Sequence, residues 1–392
     1  MKNNIIKKLI SILTLCAMLA FGTAALADSG IYDGSELFTN RDLTQTADTS
    51  EAQTIAVSDN ADVYIAEEGV YVLTGTATNA TVYVEADAEA KVQLVLDNLN
   101  ITNDSAPCIY VLQAGKTFIT LSGDNSLSVT GAFNADGADG AIFSKDDLAL
   151  NGTGALTINS SENGIVGKDD LKITGGTYTI TAASKTIEAN DSIRVSGGTF
   201  VLTAGTDSLH AENDDDDTLG YIYIGGGDFT IKAGDDAIHA LSVVQIDGGT
   251  VNITAAEGIE ATYIQINGGT INIQASDDGI NAASKSGAYT PTIEINDGAI
   301  TIVMASGDTD GVDSNGNIVV NGGTINVTGS STFDCDGSAQ YNGGTIIVNG
   351  QQVNAIPTQM MGGFGGGMQQ GGFGGFGGMQ QGGFGGFGGG RG

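Results

Sequence analysis

The chain has 392 residues and is strongly acidic, with 46 Asp and Glu against 14 Lys and Arg, a formal charge of −32, 61 glycines and no tryptophan. That charge excludes nucleic acid as a partner. It also repels an anionic polysaccharide unless a multivalent cation stands between the two surfaces. Three cysteines in a chain of this length exclude a disulfide-dense scaffold.

Residues 1–27 read as a signal peptide: Lys2, Lys7 and Lys8 precede an apolar run from Leu9 to Phe21, and Ala25-Leu26-Ala27 supplies the cleavage site. All 46 acids lie beyond it and three basic residues within it, so a chain beginning at Asp28 carries −35. No later run is long and apolar enough to span a bilayer. The expected product is secreted or extracellular, with or without attachment to the cell surface, and monomeric. Residues 28–53 are polar and aperiodic and are expected to form a flexible lead-in. Residues 54–134 alternate irregularly, as in Thr81-Val82-Tyr83-Val84 and Val92-Gln93-Leu94-Val95-Leu96, and are expected to form N-terminal β rungs and a cap.

Residues 135–356 repeat. A Gly-Gly-Thr turn recurs at Gly175-Gly176-Thr177, Gly197-Gly198-Thr199, Gly248-Gly249-Thr250, Gly268-Gly269-Thr270, Gly322-Gly323-Thr324 and Gly343-Gly344-Thr345. About ten residues before most of these turns stands an apolar residue followed two positions later by a small one. The apolar members are Ile142, Ile165, Ile187, Leu209, Ile238, Ile259, Ile280, Val312 and Phe333, spaced 23, 22, 22, 29, 21, 21, 32 and 21 residues apart. Each unit holds three short alternating segments, for example Ile238-His239-Ala240, Val244-Gln245-Ile246 and Val251-Asn252-Ile253. Three strands per 21–23 residues with no helical period predict an all-β, right-handed, single-stranded parallel β-helix. Ile231, Ile253, Ile273, Ile302 and Val327 would form one inward ladder. Cys108 and Cys335 fall about ten rungs apart, too far for a disulfide, and Cys335 is expected to be a buried, inert thiol. Residues 357–392, rich in Gly, Met, Gln and Phe, cannot bury a core and are expected to be a disordered spacer or a sticky, Phe-bearing tail.

Stacked rungs make equivalent positions neighbours. Two positions before the apolar markers stand Lys185, Asp207, Asp236, Glu257, Asp278 and Asp310, and immediately after them Glu188, His210, His239, Glu260, Asn281, Asp313 and Asp334. Five acids at roughly 4.8 Å spacing repel one another, and a hard cation removes that cost. Oxygen-only donors, with Asp235, Asp277 and Asp308 beside them, suit Ca2+ better than Zn2+. Pairs such as Asp278 with Asn281, or Asp310 with Asp313, would close on one ion from two sides. The alternative is that Asp and Asn merely serve turns, which suits Lys145-Asp146-Asp147 and Lys168-Asp169-Asp170 better than it suits the column. His210 and His239 read as ligand-facing polar residues more readily than as a dedicated metal site. Insertions after Ala211 and Ala282 leave at one edge; the first contains Asp214-Asp215-Asp216-Asp217, the second Lys285 and Tyr289. Together they would frame a groove beside the column. With no tryptophan, stacking on a flat glucan would rest on Tyr221, Tyr223, Tyr263 or Tyr289.

The runs Ser144-Lys145-Asp146-Asp147-Leu148, Gly167-Lys168-Asp169-Asp170-Leu171, Gly234-Asp235-Asp236-Ala237-Ile238-His239-Ala240, Glu257-Gly258-Ile259-Glu260-Ala261 and Asp277-Asp278-Gly279-Ile280-Asn281-Ala282 resemble the bacterial secreted carbohydrate-binding β-helix family. The likeness covers about residues 54–350. It implies a calcium-bearing β-helix that adheres to cellulose and acidic plant polysaccharide such as polygalacturonate, similar in fold to the family 9 pectate lyases. A lyase of that kind pairs calcium with a Lys or Arg base. Here His239 stands where a further acid would be expected, and Lys185 and Lys285 are the only base candidates. The expected function is therefore calcium-dependent polysaccharide binding, ahead of a lyase and of a structural surface protein without a sugar ligand.

Overall fold

A computed structural model describes residues 30–134, 137–307 and 309–357. The expected signal peptide and, apart from Pro357, the Gly-rich tail lie outside these residues, as does Asp308. Among the described residues there is no helix, and no helix long and apolar enough to cross a membrane.

The short alternating segments become strands that stack in parallel. Twelve of them, from Val63–Ile65 to Ser331–Cys335, form one wall of a solenoid-like stack. The other strands form two further walls that merge into a 24-stranded sheet, because Lys91–Asn103 pairs with both Lys116–Ser122 and Asp124–Val129. The antiparallel pairing of Thr345–Val348 with Gln351–Val353 is the exception at the C-terminal side.

The register follows the repeat. Leu202, Ile231, Ile253, Ile273, Ile302 and Val327 face one another in sequence, all buried. Each such side chain contributes roughly 1.5–3 kcal/mol of burial free energy. Tyr178, Phe200 and Phe229 stack at 5.1 and 4.4 Å between centroids inside the same wall. The Gly-Gly-Thr motif follows from the stacking of turns. Gly249 has φ 92°, and a Cβ there would meet the Gly227 carbonyl oxygen at 2.6 Å, so both the dihedral and the space require glycine.

Cys108 is buried and Cys335 partly exposed, and both are free. Cys335 does take its place beyond Ser314 in the small-residue ladder. It occupies the last strand of its wall, where no further rung covers it, so it is not the buried thiol expected.

The segment expected to be a flexible lead-in is docked. Residues 30–52 form no strand, yet they run along the outside of one wall of the 24-stranded sheet. Gln245 accepts the Tyr32 N–H at 2.8 Å and donates to the Tyr32 carbonyl at 2.9 Å, Gln265 accepts the Ile31 N–H at 3.0 Å, and the Tyr32 ring stacks on Tyr221 at 4.2 Å. Asp42, with no solvent exposure, lies 2.8 Å from Lys116 Nζ and 3.9 Å from Lys172 Nζ. Aperiodic polar composition predicted disorder; amides and cations waiting on the wall supply the partners that order it.

Candidate functional site

The twelve-strand wall carries the acidic column. In Ile187–Ala189, Leu209–Ala211, Asp236–Ala240, Glu257–Ala261, Ile280–Ala282, Asp310–Ser314 and Ser331–Cys335 the apolar member points inward and is buried. Its successor points out. The outward ladder is therefore Glu188, His210, His239, Glu260, Asn281, Asp313 and Asp334, each paired in register with the next. The second column stands alongside, with Asp236 opposite Glu257. Asp207 accepts the Asp236 N–H at 3.2 Å and Asp278 the Asp310 N–H at 3.0 Å. These column acids thus also brace the next rung, a role the turn reading anticipates, but each uses one oxygen for it.

The two halves of this site differ in charge balance. At the N-terminal half, Glu188 is held by Lys168 at 3.2 Å, Lys185 at 3.5 Å and Asn163 at 3.0 Å. His210 Nδ1 lies 2.9 Å from Asp207, and the His210 and His239 rings stack at 4.6 Å. His239 Nδ1 lies between Asp236 at 2.6 Å and Glu260 at 3.2 Å, and Lys285 reaches Glu260 at 2.9 Å. Burial opposes the His239 charge, but Asp236 and Glu260 outweigh it and lift the imidazolium to about 9. Burial would raise Glu260 too; His239 and Lys285 instead bring it down to about 2.

At the C-terminal half cations are scarce: between Lys285 and Arg391 the chain has no Lys or Arg, and Lys285, which feels Glu257, is ion-paired to Glu260. Burial, with repulsion from Glu260, Asp236 and Asp278, pushes the Glu257 carboxyl up to about 8 although Asn281 donates to it at 3.1 Å. Burial and the carboxylates of Asp278, Asp310 and Asp334 raise Asp313 to about 6. Asp278 is raised by burial and by Asp277 and Asp310. Asn281 Oδ1 is buried without a hydrogen-bond partner. Ser331 Oγ donates to Asp310.

Among the described residues, the triads Asp207–His210–His239 and Asp236–His239–Glu260 bring their ligand atoms within 4.8 Å of one another. Convergence alone does not make them the better cation site. His239 is protonated at neutral pH, and its proton already serves two carboxylates, so a metal there would have to displace a satisfied charge. The oxygens of Glu257, Asp278, Asn281, Asp310 and Asp313 are less tightly gathered but have no basic side chain among them, and a hard ion would draw them together and displace the proton that the raised Glu257 carboxyl retains. Asp235 and Asp277 are exposed at the preceding turns and stand outside both ladders.

Three expectations change. The insertions meet instead of framing a groove: Asp217 accepts the Gly287 N–H at 3.1 Å, and Ser286 Oγ donates to the Asp217 carbonyl at 2.6 Å. Tyr221 and Tyr223 are 6% and 5% exposed, packed with Tyr32, Tyr263 and Tyr289 in the cluster beneath the docked segment. Tyr289 therefore belongs to that cluster and not to the acidic ladder. Lys285 and Lys185 are ion-paired to Glu260 and Glu188, and burial does not stop Glu260 from raising the Lys285 pKa. Neither is a free base.

Sequence spacing missed Lys168 and Asn163 as partners of Glu188. It also missed Asp169, which burial and Asp191 raise to about 7, in a turn whose acids suit a structural role better than a metal. A concavity of about 460 Å³ lies on the 24-stranded sheet, is lined by Lys232, Gln274 and Met304 among others, and holds no group of titratable residues.

A family profile described as "carbohydrate-binding domain-containing protein" matches residues 59–306 and 259–354. A protein of that description from Acetivibrio thermocellus is 34% identical over 192 residues, 45% of this chain and 66% of the relative. The chain thus spans just under two thirds of that curated relative. The solved structure of a polysaccharide lyase-like protein from C. thermocellum, a gadolinium derivative, superposes with a TM-score of 0.51 at 31% identity, covering 53% of this chain and 93% of the other.

Proposed function

The chain belongs to the family of carbohydrate-binding domain-containing proteins, and from that premise we propose that it is a secreted, calcium-dependent polysaccharide-binding protein, wound as a right-handed parallel β-helix, whose ligand is an acidic glycan such as polygalacturonate. The right hand is the one that twisted strands favour in parallel crossovers.

The observation that carries this reading is the uncompensated C-terminal half of the column. Glu257 and Asp313 are held far above the usual carboxylate range, and Asn281 Oδ1 is buried without a donor, on a wall that lacks any basic side chain beyond Lys285. Glu257, Asp278, Asn281, Asp310 and Asp313 would hold the ion. When bound, calcium supplies the positive charge that lets a polyuronate approach a protein of charge −32. The side chains that would hold the ion include no basic group, so selection for a carboxylate ligand operates through the bridging cation. The structural neighbour was prepared as a gadolinium derivative, and cations of that hard type share calcium's preference for oxygen donors.

Cleavage is the weaker reading. A lyase needs an unprotonated amine beside the acids, and Lys285 is held charged by Glu260. The test is retention on polygalacturonate with calcium and with EDTA, read together with ultraviolet absorbance of an unsaturated product. Retention that EDTA abolishes, without product, is expected. Product formation, or retention indifferent to EDTA, would overturn the proposal.

A further inference from the structure

The outward ladder that ends in the acids begins in aromatic rings. Followed toward the N-terminus, Glu188 pairs with Val166, Val166 with Phe143, Phe143 with Tyr110, Tyr110 with Tyr83 and Tyr83 with Tyr64. These are successive rungs of one wall, so the aromatic and acidic stretches share a line.

The rings form a graded platform. Tyr64 and Tyr83 are parallel, 5.1 Å between centroids and 10° between planes. Tyr83 and Tyr110 follow at 5.9 Å, Tyr110 and Phe143 at 5.5 Å. Tyr110 and Phe143 are 5% and 3% exposed, packed with Ala138 and Val166. Tyr64, at the open end, is 72% exposed. A large ring left that bare, covered only where it stacks on Tyr83, contributes little burial to the fold.

Beside Tyr83 opens a cleft of about 260 Å³, lined by Asp62, Asn79, Thr81, Asn103, Asp104 and Ser105 as well as the tyrosine. Asn103 and Thr81 are committed to the fold: Asn103 Oδ1 accepts the Ala80 N–H at 2.8 Å, and Thr81 Oγ donates to the Pro107 carbonyl at 2.8 Å. Asp62 and Asp104 stand exposed at the rim. Their carboxylates would accept from hydroxyls and repel another carboxylate, and no basic side chain lines the cleft. An aromatic face beside a small polar cleft suits a ring with an apolar face and a hydroxylated edge, and the rung spacing is close to the length of one pyranose residue.

We propose that Tyr64 and Tyr83, with the cleft rimmed by Asp62 and Asp104, form a calcium-independent subsite for neutral pyranose residues, on the same ladder as the acidic column. This rests on the polysaccharide-binding reading and divides the ligand between two ends: neutral sugar stacks on the tyrosines, uronate is bridged at the acids. The tyrosines under the docked N-terminal segment are covered and take no part.

The test is affinity electrophoresis of the full chain in EDTA through gels containing hydroxyethylcellulose, xyloglucan or glucomannan, with a parallel gel of polygalacturonate in calcium. Retardation by at least one neutral glycan in EDTA is expected, weakened about tenfold in Kd (about 1.4 kcal/mol) by the Tyr64→Ala/Tyr83→Ala variant and retained by Tyr64→Phe/Tyr83→Phe. Calcium-dependent retardation by polygalacturonate should survive in both variants. Tyr64 is exposed and Tyr83 packs only at the edge of the Tyr110–Phe143 cluster, and a melting curve checks that the alanine variant folds. Wild-type migration indifferent to every neutral glycan, or retardation that survives the alanine variant, would overturn the subsite while leaving the calcium-dependent arm standing. Loss of retardation in the polygalacturonate arm for the wild type would overturn the proposed function instead.

Discussion

Two halves of one column, built from the same repeat on the same wall, solve the problem of stacked acids differently. From Glu188 to Glu260 the outward acids and their column neighbours Asp207 and Asp236 have basic partners from the chain itself: Lys168 and Lys185 at Glu188, the His210 ring at Asp207, His239 and Lys285 at Asp236 and Glu260, with Glu257 of the same strand left to the other half. Beyond Glu260 the ladder continues through Asn281, Asp313 and Asp334 with no such partner. Acids lined up in register are thus not by themselves a cation site. What distinguishes the second half is missing charge: Glu257 and Asp313 are raised with no basic side chain beyond Lys285, whereas Asp236, raised to about 6 chiefly by burial, keeps His239 at 2.6 Å.

The contrast breaks most visibly at His239. Its replacement by Leu strands Asp236 unpaired among buried groups, leaves Glu260 to Lys285 alone and should cost about 3 kcal/mol in chemical denaturation of the metal-free protein. Asp313→Asn in the other half, which relieves repulsion, should be neutral or stabilising. Equal losses from both would erase the distinction. Next in size is calcium itself: at a hundredfold excess over its Kd it should stabilise the wild type by about 2.7 kcal/mol, seen as a rise in melting temperature that EDTA reverses and that Asp310→Asn/Asp313→Asn lacks.

A smaller effect is expected with pH. The folded Glu257 carboxyl, up to about 8, lies above its unfolded value. The folded state therefore binds the proton more tightly, and the stability this provides is complete below about pH 4.5 and lost as pH rises toward 8. His239, raised to about 9, adds a loss of the same sign between about 6.5 and 9, so Glu257→Gln against wild type isolates the first contribution. It should flatten the metal-free slope by on the order of 1 kcal/mol after allowance for solvent screening. An unchanged slope would mean that Glu257 is not under the strain assigned to it. The smallest effect is expected for Lys285→Met, which should alter polygalacturonate affinity in calcium by no more than about twofold (roughly 0.4 kcal/mol). A collapse of binding would move the ligand to the other half.

Spacing made much of this visible in the sequence, because stacking converts a repeat of about 22 residues directly into neighbours. Glu188, His210, His239, Glu260, Asn281, Asp313 and Asp334 could be aligned from their apolar markers alone, and the insertions carrying Asp217 and Lys285 were placeable at one edge. What spacing did not reveal has physical reasons. The docking of Tyr32 and Asp42 depends on groups on a wall more than a hundred residues away in places, with no period to announce it. The ring ladder was hidden because Tyr64, Tyr83, Tyr110 and Phe143 are separated by 19, 27 and 33 residues, as loops of unequal length interrupt the early rungs. Charge balance was hidden too, since Lys285 reaches Glu260 from an insertion outside the repeat.

Calcium titrated calorimetrically into the metal-free full-length protein tests the central claim most directly, with Asp310→Asn/Asp313→Asn and Asp207→Asn titrated alongside. Saturable heat is predicted in the wild type and in Asp207→Asn, and its loss in Asp310→Asn/Asp313→Asn. No heat in the wild type, or heat that survives in Asp310→Asn/Asp313→Asn and disappears in Asp207→Asn, would contradict a cation held by the uncompensated half of the column.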